Sequence, residues 1–158
     1  EVCVTCHDGE HALFVGQDLV GTTQNIWNGS AAVPTVVTQA MADAAAAELE
    51  HESHSYQEAG QLLLDIINQA NGLTNYTTAV ISQANVSDDD RRAFQNSKLT
   101  GDEKGGFAHN RYYVKRLIFD SIDWAENGAL DGTITDYTAL GTGYQYPNAM
   151  TWLGTTRP

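Results

Sequence analysis

The sequence predicts a mainly α fold, with helices joined by long polar loops and an irregular C-terminal tail. Three observations carry this. Residues 55–70 and 110–126 place apolar side chains at three- and four-residue intervals, and these runs close on Asn71-Gly72 and Asn127-Gly128. Residues 35–50 are dominated by Ala, the strongest helix former. The intervening stretches are rich in Gly, Asn and Thr and show no period.

The chain opens on Cys3-Val4-Thr5-Cys6-His7, expected on a short helical turn. Two cysteines at this spacing can each form a thioether to one vinyl group of the same haem. The adjacent histidine then lies beneath the iron. Cys3 and Cys6 are therefore the expected attachment points of one haem c, and His7 its proximal ligand. A structural zinc site would need a second ligand pair at metal spacing, and no cysteine follows Cys6. A thioredoxin-like motif would need a βαβ pattern, which the downstream sequence lacks. Attachment of this kind takes place outside the bacterial cytoplasm, so the expected location is periplasmic or extracellular. No export signal precedes the motif, which begins at the third residue, and the chain reads as a fragment of a longer protein.

Residues 8–34 read mostly as loop and end at Pro34, a favourable first helical position, so a helix is expected from Thr35 to about Glu50. Val37, Met41 and Ala44 form one stripe of it, continued by His51. Ser55-x-x-Glu58 has the form of a capping box and opens a second helix that turns Ala59, Leu62, Leu63, Ile66, Ile67 and Ala70 inward. The stretch from Tyr76 to Ala84 reads either way. Ser87-x-x-Asp90 caps a brief helix towards Ser97, with Asp88, Asp89 and Asp90 at its positive end. The triplet lacks the alternating spacing and distal Glu of an EF-hand, so capping is preferred over calcium binding. The last long helix, from about Asn110 to Glu126, buries Val114, Leu117, Ile118, Ser121, Ile122 and Ala125. Beyond it, alternation from Thr133 to Tyr137 suggests a short strand. Sequons at Asn28, Asn75 and Asn85 are read as coincidence.

The 158 residues fit one haem domain spanning 1–158, and 20 acidic against 8 basic residues give a formal charge of −12. Such a surface repels nucleic acid and anionic lipid and favours basic or cation-bridged partners. No apolar run approaches a transmembrane span.

The identity of the sixth iron ligand bears on function, because a methionine raises the reduction potential and a second histidine lowers it. His11 shares a side with His7 and cannot reach the opposite haem face. His51 follows Ala40, Ala44 and Ala47 on one face, where small side chains admit a flat macrocycle. His54 precedes the Ser55 cap and is expected at the surface, and Met41 is expected in the core. Met150 lies in a loop, Tyr146-Pro147-Asn148-Ala149-Met150. His109 lies in Gly105-Gly106-Phe107-Ala108-His109-Asn110, where the two glycines allow close approach to a porphyrin edge and Phe107 could lie against the ring. With Asn110 as N-cap, His109 belongs to the preceding turn.

Ala108-His109-Asn110-Arg111-Tyr112-Tyr113-Val114-Lys115-Arg116-Leu117-Ile118, followed by Asp120-Ser121-Ile122-Asp123, resembles the C-terminal part of multihaem c-type cytochromes of metal-reducing bacteria. The closing Trp152-Leu153-Gly154 and Arg157-Pro158 resemble that family's ending. The resemblance covers about a third of the chain. It implies that the histidine of a His-Asn turn before a helix supplies a distal ligand, which puts His109 first, His51 second and Met150 third. Those proteins carry many C-x-x-C-H motifs and this chain carries one, so it reads as the C-terminal piece of a larger cytochrome or as a single-haem relative.

Three functions follow as expectations. The first is one-electron transfer through a bis-His haem, without catalysis, to redox proteins or other haems. The second is a haem enzyme or gas sensor with a displaceable sixth ligand. The third is a structural subunit of a cytochrome assembly, self-associating through its tyrosines and tryptophans.

Overall fold

A computed structural model describes residues 19–72, 86–138 and 146–158. It divides into two compact units, Glu1–Glu52 and Ser53–Pro158. Helices predominate, with one small antiparallel sheet among the described residues.

In the first unit, β1 (Thr23–Trp27) and β2 (Ala32–Val36) form a hairpin with Thr23 opposite Val36 and Trp27 opposite Ala32. Its turn is held by Asn28 Oδ1, which accepts the backbone N–H groups of Ser30 at 3.1 Å and Ala31 at 3.0 Å. Gly29, at φ +93°, supplies the left-handed residue that the turn requires. This corrects the expectation of a loop ending in a helix at Pro34. Pro34 lies in β2 opposite Asn25. Val33, Thr35 and Val36 favour an extended backbone, and in a two-stranded ribbon both strands are edges, where a missing N–H is tolerated. The helix begins after Thr38, whose hydroxyl accepts the Met41 N–H at 3.2 Å. Val37 and Ala42 are buried together, with Leu19 and Val20 packed against them.

Helix α1 runs unbroken from Gln39 to Ala70, where two helices were expected. The Ser55-x-x-Glu58 pattern starts nothing, because residues 51–54 contain no Gly or Pro to interrupt the ladder and Ser55 and Tyr56 are buried mid-helix. The expected end holds: Asn71 N–H reaches Ile67 O at 3.1 Å, and Gly72 adopts φ +74°.

In the second unit, α2 (Asp88–Asp102) starts as expected, with Ser87 Oγ accepting Asp90 N–H at 3.0 Å, and it extends past Ser97. The four-residue turn α3 (Gly106–His109) leads into α4 (Arg111–Asn127), which stops at Gly128 with φ +77°. Of the expected α4 stripe, Val114, Ile118, Ser121 and Ile122 are buried, Leu117 and Ala125 half-buried, and Phe119 and Asp123 join them. The described part of the tail holds more regular structure than expected. It contains α5 (Pro147–Leu153), and the predicted strand at 133–137 reduces to a single bridge, Thr133 to Thr156. Buried Asp123 explains the loop before it, because its carboxylate accepts the N–H groups of Gly132 at 2.8 Å and Asp131 at 3.3 Å. Arg157 closes this corner by gripping Asp120 through two 2.7 Å hydrogen bonds.

The core of this unit joins Leu62, Leu63, Ile66 and Ile67 of α1 to Ile118, Phe119 and Ile122 of α4 and to Met150, Trp152 and Leu153 of α5. Each fully buried aliphatic side chain contributes about 1.5–3 kcal/mol relative to exposure. Among the described residues, no helix is long and apolar enough to cross a membrane.

Candidate haem-ligand turn

Cys3, Cys6, His7 and His11 lie outside the described residues. The remaining candidates are placed as follows.

His109 ends α3, and Asn110 separates it from α4, so the histidine sits in the turn before the long helix as expected. Asn110 holds the junction with its backbone and makes no side-chain cap. The imidazole is 77% exposed and lies outside the buried cluster. Its Nδ1 lies 3.6 Å from Glu103 Oε1, within ion-pair range. The neighbouring Tyr112 and Tyr113 are also exposed.

The glycines before it have different tasks. A Cβ on Gly105 would stand 2.9 Å from His109 Cε1 and 3.2 Å from both His109 Nδ1 and Glu103 Oε1. The space above Gly105 is therefore used by the imidazole itself. A Cβ on Gly106 would meet the Tyr56 hydroxyl at 2.6 Å. That phenol is buried and donates towards Glu103 O at 3.1 Å and Leu99 O at 3.3 Å, bridging α1 to the end of α2. Burial, with the Glu103 charge nearby, pushes the Tyr56 hydroxyl up to about 12, so it stays a neutral donor. Phe107 is partly buried and packs against the core, 6.1 Å from the Tyr56 ring at a 45° tilt.

His51 is exposed on α1 within the first unit, and His54 is exposed on the same helix. Met41 is half-buried. Met150 occupies α5 and not a loop; Pro147 at the helix start makes the local backbone helical, and the thioether is buried in the core. Among the described residues, no group of three or more His, Cys, Asp or Glu is arranged to hold a metal ion.

No protein-family model matches the chain, and no solved structure does. Curated relatives do. The C-type polyheme cytochrome OmcB of Geobacter sulfurreducens is 44% identical over 69 residues, covering 40% of this chain and 9% of OmcB. The C-type polyheme cytochrome OmcC of the same organism is 50% identical over 40 residues, covering 25% of this chain and 5% of OmcC. Over that part, this chain is related to the multihaem c-type cytochromes. It spans less than a tenth of the length of these relatives.

The residue this turn adds to the sequence reading is Glu103. It lies six positions before His109, in a Glu-Lys-Gly-Gly stretch with no period and no capping pattern. Only the sharp exit from α2, with Glu103 as C-cap, brings its carboxylate to the imidazole.

Proposed function

We propose that this chain transfers single electrons through one covalently attached haem c, outside the cytoplasm. Cys3 and Cys6 form the thioethers, His7 is the proximal ligand and His109 the distal one, with His51 second and Met150 third. The observation that carries the reading is Cys3-x-x-Cys6-His7, and the relation to C-type polyheme cytochromes supports it. His109 suits the distal role because its imidazole is offered to the surrounding space and not spent on the core. Phe107 packs against the haem. A haem with both axial positions filled supplies a reversible one-electron couple and resists small-molecule binding, which favours transfer over catalysis. Residues 1–158 act as one haem-binding domain. Its partners are redox proteins or other haems, with contacts through basic or cation-bridged surfaces to this acidic chain.

Mass spectrometry of the denatured, matured protein tests attachment: the expected mass is the chain plus one haem, and bare polypeptide refutes the reading. His109→Ala beside His51→Ala tests the distal ligand. His109→Ala is expected to turn the low-spin oxidised spectrum high-spin and admit carbon monoxide in the reduced state. A high-spin His51→Ala with a low-spin His109→Ala reverses the order, and a sulfur–iron charge-transfer band in the native oxidised protein assigns Met150 instead.

A further inference from the structure

We propose that Glu103 and Gly105 are positioning residues for His109: Gly105 provides the bed on which the imidazole lies, and Glu103 faces its Nδ1 at ion-pair distance, leaving Nε2 as the nitrogen offered to iron. This rests on the reading of His109 as a haem ligand.

Two features of the geometry carry it. Glu103 Oε1 stands 3.6 Å from Nδ1, although both side chains are more than half exposed and have solvent available as an alternative. Gly105 leaves open a space that any side chain would close, since a Cβ would come within 2.9 Å of Cε1. The Nδ1–Cε1 edge of the ring therefore lies over Gly105, and a methyl there would make the exposed imidazole shift. Gly105 itself has φ −91°, a conformation open to every residue, so what an added side chain would meet there is the imidazole and not a backbone restriction.

An imidazole that ligates through Nε2 keeps its proton on Nδ1, and a carboxylate facing that proton fixes the ring's orientation and raises its basicity. A more basic ligand favours the oxidised iron and lowers the potential. The contacts that residue 103 makes to the fold run through its backbone: its N–H to Leu99 O, and its carbonyl to Tyr56 and to Gly106 N–H. Its side chain is thus replaceable without disturbing the helix end.

The test uses the full haem-loaded chain. Glu103→Gln is expected to raise the midpoint potential by the equivalent of a three- to tenfold change in the oxidation equilibrium, tenfold being about 59 mV for one electron. Asp102→Asn removes an equal charge from the adjacent, exposed residue and is the control, with a clearly smaller shift expected. Gly105→Ala is expected to push the imidazole aside and raise the affinity for added imidazole at least fivefold, with helical circular dichroism unchanged. Equal shifts from Glu103→Gln and Asp102→Asn would reduce the effect to general charge and overturn the inference. So would an unchanged potential and unchanged imidazole affinity in both Glu103→Gln and Gly105→Ala while His109→Ala still turns high-spin; the ligand assignment would then stand alone. A His109→Ala protein that keeps its native low-spin spectrum overturns both.

Discussion

Asp65 is buried on α1 with 1% of its surface exposed, and its carboxylate takes a hydrogen bond from the Tyr146 hydroxyl and another from Gln61 Nε2 at 2.8 Å. Burial raises the Asp65 carboxyl above the usual carboxylate range, with the Gln61 amide pulling the other way. The folded chain therefore holds this proton to higher pH than the unfolded chain does. Its contribution to stability is fully present below the ordinary value of about 3.9, falls as the pH rises to the raised folded value, and is level above it. Asp65→Asn should remove that fall, which denaturation at a series of pH values would show as a difference from wild type confined to this window. Tyr146→Phe leaves a buried carboxylate one donor short and should cost about 1–3 kcal/mol in chemical denaturation at neutral pH. Nothing near Asp65 in the sequence announces this pair, because Tyr146 lies 81 positions away.

Between elements, Glu58 shows how a local pattern is put to a distant use. Its carboxylate accepts the N–H groups of Asn148 at 3.0 Å and Ala149 at 3.2 Å, and the Asn148 amide at 2.8 Å. It thereby caps the first turn of α5, a helix whose own preceding residue, Tyr146, makes no side-chain cap. Glu58→Ala should destabilise the protein by about 1–2 kcal/mol, the typical cost of losing a cap, and thermal unfolding would measure it. Helices α1 and α2 meet at Gly60, where a Cβ would lie 2.7 Å from the Thr100 Cβ. Gly60→Ala should therefore cost about 1–3 kcal/mol through overpacking. Adding Thr100→Ala should restore part of it, and a double-mutant cycle that finds the two changes additive would refute the contact as the cause.

At the scale of the whole molecule the formal charge of −12 is the dominant electrostatic fact. Charge of one sign steers oppositely charged partners into encounter, and salt screens it within a Debye length of about 8 Å at physiological ionic strength. Electron exchange with a basic redox protein should therefore slow as ionic strength rises, whereas exchange with an acidic one should quicken; stopped-flow rates across a salt series would distinguish them. A flat rate for both would mean that encounter is governed by a local contact and not by the net field.

The helical class, the Ser87 start of α2, the Gly128 stop of α4, the placement of His109 in the turn before it and the family resemblance were all legible in the sequence. Caps, stops and apolar periods act over three or four residues, and those residues carry the signal themselves. The first unit was misread where local signals competed: Pro34 suits a helix start, but the β-branched residues around it and the pairing strand at Thr23–Trp27 drew it into a hairpin. Only the tertiary structure decided the rest. Ser55-x-x-Glu58 reads as a capping box, yet burial of Ser55 and Tyr56 keeps α1 continuous and leaves Glu58 to cap a helix 90 residues away. Glu103 reaches His109, and Tyr56 meets Gly106, because α2 ends where it does and α1 packs beside that end. A carboxylate or a phenol takes its partner from whatever the fold brings within about 3 Å, and that neighbourhood is a property of packed helices, which no short stretch of chain encodes.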